Sequence, residues 1–511
     1  MALSNSVPLR WLGGPLEIAL REKTQGFTAQ EKQVLEYWHT PAALEIIQGS
    51  PVTCLVVSWA SGLAADAEQQ RTLKPLVDAA KQLKLDVVGW VDGKVDSNAA
   101  IAAAKAAGLS AVAVEGFKGK SDFPVIPWGD RNHVPWDTTA AVLPITNNVW
   151  PGVAARGGRD TASAGPTALP WLDSNGYFIK LAHARTDSQI WAVFDPPGAG
   201  EVVPARSYPT AVCDAEAAGG RWLISLDSNL RGGLAQKNAT AAATWKSISD
   251  AVAFFERHRE WKSYRLLGAV GVMSDFKGDN FDFSVEIVNA LSRRDILFRV
   301  LWTTAKNAAD LAGLRAVTWT DPAQPSAQLR KTLLTFVEQG GLLVTGPKWG
   351  TEGKSVPNAH ARYDVRTLGK GRLAIAKVDT GDAWSFVTDA QDLLSHANDY
   401  AKLFNATASG GFGYSGSRDG KRALLQLVSY ASYGGGFGGG GGGGRGNMGG
   451  RSTIPLSSMA SAWTRDKYRA AQVWTIDAEK PTPIEVAASE DGGTEYHLPP
   501  IPAYMALDFE V

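Results

Sequence analysis

The run Leu267-Gly268-Ala269-Val270-Gly271-Val272-Met273, followed at once by Ser274-Asp275, decides how the second half of the chain folds. Seven mostly apolar residues stopped by a polar pair have the length of a buried strand. A helical pattern over Phe283 to Arg293 comes next, then a second apolar run from Ile296 to Trp302. A third run, Leu314 to Trp319, ends at Thr320-Asp321, and a helix over Ala327 to Gln339 leads into the strand Leu342 to Thr345. In that helix Leu329, Leu333, Phe336 and Val337 share one face, the spacing of a stripe packed on a sheet. Strands alternating with helices predict a mostly parallel sheet covered on both faces.

Towards the N-terminus the same rhythm continues. Short apolar runs occur at Leu16 to Ala19, Cys54 to Ser58, Val87 to Val91 and Ala111 to Val114. Four more follow at Val125 to Pro127, Ala141 to Pro144, Trp191 to Phe194 and Trp222 to Leu226. Helical patterns lie between most of them, and a long one over Ala241 to Arg257 closes the set. Eight strand signals with interposed helices in about 260 residues match a (β/α)₈ barrel, with an open doubly wound sheet as the alternative. From about Phe404 the pattern changes to alternating runs at Ala423 to Tyr430, Tyr468 to Ile476, Ile484 to Ala487 and Ala503 to Phe509, which predict a small antiparallel β-sandwich. The expected organisation is a barrel over 1–262, an α/β domain over 263–403 and a sandwich over 404–511. Within the sandwich, 434–450 is nearly all Gly and reads as a flexible loop.

Composition narrows the function classes. The 51 basic residues balance 51 acidic ones without a basic stripe, which argues against a nucleic-acid partner. No run is long and apolar enough to span a bilayer, and the first residues lack the pattern of a signal peptide. Composition leans towards an exported protein, secreted or periplasmic, with a cytoplasmic one as the alternative. Trp is abundant at 18, and such a chain suits stacking against sugar rings as well as ordinary packing. The two cysteines, Cys54 and Cys213, neither demand nor exclude a disulfide. No His-Glu-x-x-His, Cys-x-x-Cys or clustered Asp pattern occurs, so neither a catalytic metal nor another cofactor is expected.

In a barrel, chemistry belongs at the C-terminal ends of the strands. Those ends carry Trp59, Trp90, Glu115, Trp128 with Asp130, Asn147 with Asn148, Asp195 and Asp227. Carboxylates and indoles together suit a sugar, which offers hydroxyls at its edges and C–H groups on its faces. Trp171 and Asp173 sit in a loop expected on the same side, where Asp173 or Ser174 also reads as the N-cap of the next helix.

The α/β segment 266–350 resembles the amidotransferase-like domain that follows the barrel in glycoside hydrolase family 42 β-galactosidases. The C-terminal sandwich accompanies that barrel too. The resemblance implies glycoside hydrolysis by two carboxyl groups, an acid Glu after the fourth strand and a nucleophile Glu after the seventh. Glu115 falls at the fourth position, preceded by Val114 where the family has Asn, and Asp195 stands at the seventh where the family has Glu. Candidate catalytic residues are therefore Glu115, Asp195 and Asp227, with Trp59, Trp90, Trp128, Asp130, Asn147, Asn148 and Trp171 as candidate sugar contacts. Amidotransferase chemistry itself is excluded: the chain has no Cys after Cys213, and Thr345-Gly346-Pro347 stands where the nucleophile turn belongs. The resemblance gives this domain a supporting role in a trimer or other homo-oligomer. The expected partner is thus an oligosaccharide or polysaccharide substrate. The competing reading is a catalytically silent barrel that binds carbohydrate or serves as an assembly scaffold.

Overall fold

The computed structural model describes residues 3–24, 26–93, 95–154, 171–194, 202–304, 310–379, 381–394, 401–404, 410–430, 461–490, 492–499 and 503–511. The expectations for Asp195 and for the glycine run 434–450 lie outside these residues. Two compact units emerge, one of Met1–Trp150 with Thr186–Arg259, the other of Pro151–Arg185 with Glu260–Val511.

The first unit is built on eight parallel strands: β1 Pro8–Trp11, β2 Cys54–Ala60, β3 Asp86–Val91, β4 Ala111–Glu115, β5 Val125–Asp130, β6 Val142–Thr146, β7 Gln189–Ala192 and β8 Arg221–Trp222. They pair in that order, and Ile224 returns to β1 through Arg10 N–H to Ile224 O at 2.8 Å and Ile224 N–H to Pro8 O at 3.0 Å. The sheet is therefore a closed barrel. All seven residues of β2 are buried, as expected of a parallel strand covered on both faces. Cys54, Val56, Val88, Trp90, Ala113, Ile126, Trp128, Trp191 and Leu223 pack into one cluster, which fixes the inward face of each strand by its alternation. Helix Ala239–Arg257 covers the outside with a stripe of Ala241, Trp245, Ile248, Val252 and Phe255.

One expected strand is a helix. Leu16 to Ala19 belongs to the helix Pro15–Thr24, and the first barrel strand lies earlier. Gly14, at φ +95°, turns the chain after β1, and Pro15 then takes the first helical position, where its missing N–H costs nothing. The cysteines are both free and buried, and burial pushes both thiols well up.

The second unit contains the expected α/β sheet. Its parallel strands are β9 Val270–Ser274, β10 Phe298–Trp302, β11 Ala316–Trp319 and β12 Leu342–Thr345, joined by antiparallel β13 Tyr363–Leu368 and by β14 Gly371–Ala376, which is parallel to β12. Their order is β10-β9-β11-β12-β14-β13, with a two-residue edge at Lys354–Ser355. Helix Ala327–Glu338, capped by Ser326, buries Leu333 and Val337 against the sheet and rests Leu329 and Phe336 beside them. After it come two antiparallel sheets whose shared core includes Tyr414, Leu425, Leu427, Ala462, Tyr496, Leu507 and Phe509. Barrel, α/β sheet and β-sandwich thus follow one another as the sequence led us to expect. Among the described residues no helix is long and apolar enough to cross a membrane.

Candidate active site

The alternation that fills the barrel also selects what faces its mouth. On β4, Ala111 and Ala113 point inward, so Glu115 at the strand end does too. Glu115 is exposed and, among the described residues, makes no hydrogen bond. It lies level with Trp128 of β5. Trp128 stacks on Trp90 with ring centroids 4.8 Å apart and donates its indole N–H to Val91 O at 3.2 Å. Arg10 of β1 lies over the Trp90 ring at 4.9 Å. Trp90 and Trp128 are only 5% and 7% exposed, so this stack fills the barrel and offers edges rather than open faces.

Two residues beyond Trp128 on the same face stands Asp130. Its carboxylate accepts from the backbone N–H of Asn132 and of His133, each at 2.8 Å, and from His133 Nδ1 at 3.0 Å. Partial burial, which alone would raise it, is outweighed by these bonds, and Asp130 is held below the usual Asp range. With strands about 4.8 Å apart and a rise near 3.3 Å per residue, the Cα atoms of Glu115 and Asp130 stand roughly 8 Å apart. Next on the rim, Asn148 donates to Val193 O at 3.0 Å and accepts from Arg131 at 2.9 Å, tying the ends of β5, β6 and β7 together. Its neighbour Asn147 is exposed at φ +59°.

Across the ring from β4, Asp227 follows β8 and is 1% exposed. It caps helix Ser228–Ala235 by accepting from Leu230 N–H at 2.7 Å, and also takes Val203 N–H at 2.9 Å and Tyr208 OH at 3.0 Å. Those bonds match the capping role that Asp-Ser-Asn suggests. Trp59 points to the outer face of β2 and donates to Ala100 O at 3.0 Å, buried completely. Gly89 next to it has no Cβ because one would lie 2.9 Å from the Trp59 ring. Trp59 is therefore packing between barrel and helix, away from the mouth. Trp171 and Asp173 lie in a short strand of the second unit whose side chains are outside the described residues.

Sequence reasoning missed a buried polar group on the same rim. Glu17 accepts a short hydrogen bond from Ser58 at the end of β2. Gln69 accepts Leu16 N–H at 3.2 Å and donates to Ser58 O at 3.1 Å. Arg231 donates to Leu12 O at 3.1 Å; burial, with Arg21 nearby, pulls its pKa down to about 10. The available signal was Gly13-Gly14-Pro15, a turn followed by a helix start. For a metal, the described residues gather His360, Asp389 and Asp392 in the second unit, but Arg362 already pairs with Asp389.

A solved structure of similar fold is α-L-fucosidase isoenzyme 2 from Paenibacillus thiaminolyticus, 11% identical over 99% of each chain, with a TM-score of 0.56. At that identity the likeness is one of fold. An exo-β-1,4-mannosidase from Opitutaceae bacterium strain TAV5 is 10% identical over 76% of this chain and 95% of its own, with a TM-score of 0.48. A β-galactosidase from Bacillus circulans sp. alkalophilus is 9% identical over 99% of this chain and 86% of its own, at 0.35. No protein-family model matches the chain, and no curated protein does.

Proposed function

We propose that the barrel is a glycoside hydrolase acting on an oligosaccharide or polysaccharide, with Glu115 as its proton donor. The observation that carries this reading is a single one. Glu115 is an exposed carboxyl group on the inward face of a closed (β/α)₈ barrel, at the strand ends where such barrels do their chemistry. Hydrolysis needs a protonated carboxyl beside the leaving oxygen and an ionised one near the anomeric carbon. Asp130, kept ionised by its hydrogen bonds, is suited to stabilise positive charge on the ring. The nucleophile or base is assigned to Asp195, by its place after the seventh strand. Asp227, enclosed by three hydrogen bonds, is a positioning residue in this scheme.

The engagement of Asp227 also favours a second reading, a barrel that binds sugar without cleaving it. A panel of aryl glycosides separates the two when turned over by wild type, Glu115→Gln and Asp195→Asn. The hydrolase reading expects wild-type turnover and a loss of about 10²- to 10⁴-fold in each variant. Equal rates in wild type and Glu115→Gln remove Glu115 from the mechanism. Binding of oligosaccharides without turnover by wild type leaves the silent barrel.

A further inference from the structure

We propose that the cavity at the carboxyl ends of β11 and β12 in the α/β sheet is a second ligand site, and that it takes a small neutral saccharide. It belongs wholly to the second unit and is independent of the barrel's activity.

Its position is the first argument. From β9 the chain goes to one side for β10 and to the other for β11, so strand order reverses between β9 and β11. At such a switch point the connections diverge and leave a crevice beyond the strand ends, where open α/β sheets bind ligands. A cavity of about 370 Å³ lies there, within the size range of small-molecule pockets.

The walls specify the ligand. Trp319 and Trp349 meet edge to face at 6.2 Å, as do Phe283 and Phe386, and all four line the cavity. Trp319, Trp349 and Phe386 are nearly buried and offer edges, and Phe283 is the more open ring, so C–H groups meet apolar surface mainly at Phe283. Between them stand hydroxyl-binding groups, Asn280, Asp321 and Gln324. Asp321 is held by Ser274 Oγ at 2.5 Å, Asp275 N–H at 2.9 Å and Asn280 Nδ2 at 3.0 Å, so its position is set before any ligand arrives. The indole N–H of Trp349 is buried with no acceptor among the described residues.

Charge rules out the other common occupants. Asp321 and Asp379 outnumber Lys348 on the lining, which opposes a phosphate. The loop after β12 reads Gly346-Pro347, and proline has no N–H to add to a phosphate cradle. Arg330 covers one face of Trp349 at 4.5 Å, which removes an aromatic face from any cationic ligand. What remains is a neutral molecule with hydroxyl edges and C–H faces.

Gly346 gives a clean test. It lines the cavity, lacks a left-handed φ, and a Cβ there would meet nothing within 4 Å. Gly346→Phe should fill the site without disturbing the sheet, and Gly346→Ala should narrow it. D-Galactose, L-fucose, D-mannose and cellobiose would be titrated calorimetrically into the full chain carrying Glu115→Gln, with and without each Gly346 change. We expect binding of at least one probe, weakened at least tenfold by Gly346→Phe and by a smaller factor by Gly346→Ala. The wild-type barrel's behaviour towards aryl glycosides should be unchanged by either change alone. Binding of every probe unaltered by Gly346→Ala and by a folded Gly346→Phe overturns the proposal, as does the absence of binding by all four.

Discussion

The barrel mouth and the α/β switch point are both carboxyl ends of parallel strands, yet they treat their acidic groups differently. At the mouth Glu115 is exposed and makes no hydrogen bond among the described residues, while Asp227 across the ring is enclosed and fully engaged. At the switch point Asp321 is half-buried, held by three donors, and lines a cavity. An open mouth leaves a carboxyl able to exchange protons with substrate and solvent. An enclosed, preset carboxyl is better suited to recognition, because its geometry is fixed in advance. Enclosure, more than residue type, separates a structural acid from a chemical one.

If enclosure decides the role, the largest stability effect should fall where a charge is most completely surrounded. Arg221 at the start of β8 pairs with Glu256 at 2.6 Å and Glu216 at 3.4 Å and donates to Ser6 O at 3.0 Å. Burial opposes its charge, but the two glutamates outweigh that and raise its pKa. It lies at the N-terminal end of the barrel, where conserving the fold rather than chemistry is the expected task. Arg221→Met removes the buried cation that lies between Glu216 and Glu256, while Arg259 still pairs with Glu256. We expect a loss of about 3–5 kcal/mol in urea unfolding.

The next effect contrasts the two rim acids directly. Asp227→Ala removes an N-cap and strands the Val203 N–H, which should cost about 2–4 kcal/mol. Glu115→Ala should stay within about 0.5 kcal/mol of wild type, as surface changes usually do. Denaturation of both variants under one condition checks this. Equal losses would mean that Glu115 is a structural residue and would remove the contrast on which the mouth is assigned.

Much of this architecture was legible because buried parallel strands are apolar on both faces, so β2 through β8 stand out as runs of Val, Ile, Leu and Trp. β1 does not. Pro8-Leu9-Arg10-Trp11 carries an inward Arg10 stacked on Trp90, and a charge inside a strand interrupts the apolar run that betrays its neighbours. The same two-sided burial hid which Trp faces the mouth. With every residue of β2 apolar or small, nothing in its sequence distinguishes outward Trp59 from inward Trp90 on the next strand. An N-cap is readable from local residues such as Asp227-Ser228-Asn229, although its place at a strand end also put Asp227 among the catalytic candidates. The switch-point cavity was not, since Asn280, Asp321, Gly346 and Asp379 come from four separate loops that only the sheet order brings together.

The smallest effect concerns pH, and its sign should differ between the two units. In the barrel, burial lowers the pKa of His39 below 6.5, outweighing Gly13 and Glu68, while its Nε2 lies 2.8 Å from Thr72 Oγ1. The unfolded chain therefore binds a proton at this site before the folded one does. Its contribution is present above about pH 6.5 and is lost as pH falls through the folded value. In the α/β sheet, burial raises Asp321 above 3.8 against the pull of Ser274 and Asp275. Here the folded state keeps its proton longer, so stability is full below the unfolded value and is lost as pH rises through the folded one. Acidification from neutrality should thus weaken the barrel through His39 and strengthen the sheet through Asp321. Urea unfolding of wild type, His39→Gln and Asp321→Asn at about pH 7 and about pH 5 reads both contributions. His39→Gln should lose less than wild type on acidification, and Asp321→Asn should lack the gain that wild type draws from its sheet. Variants that track wild type in parallel would mean that neither group is differently solvated in the two states, and the contrast between an enclosed acid and an open one would then rest on geometry alone.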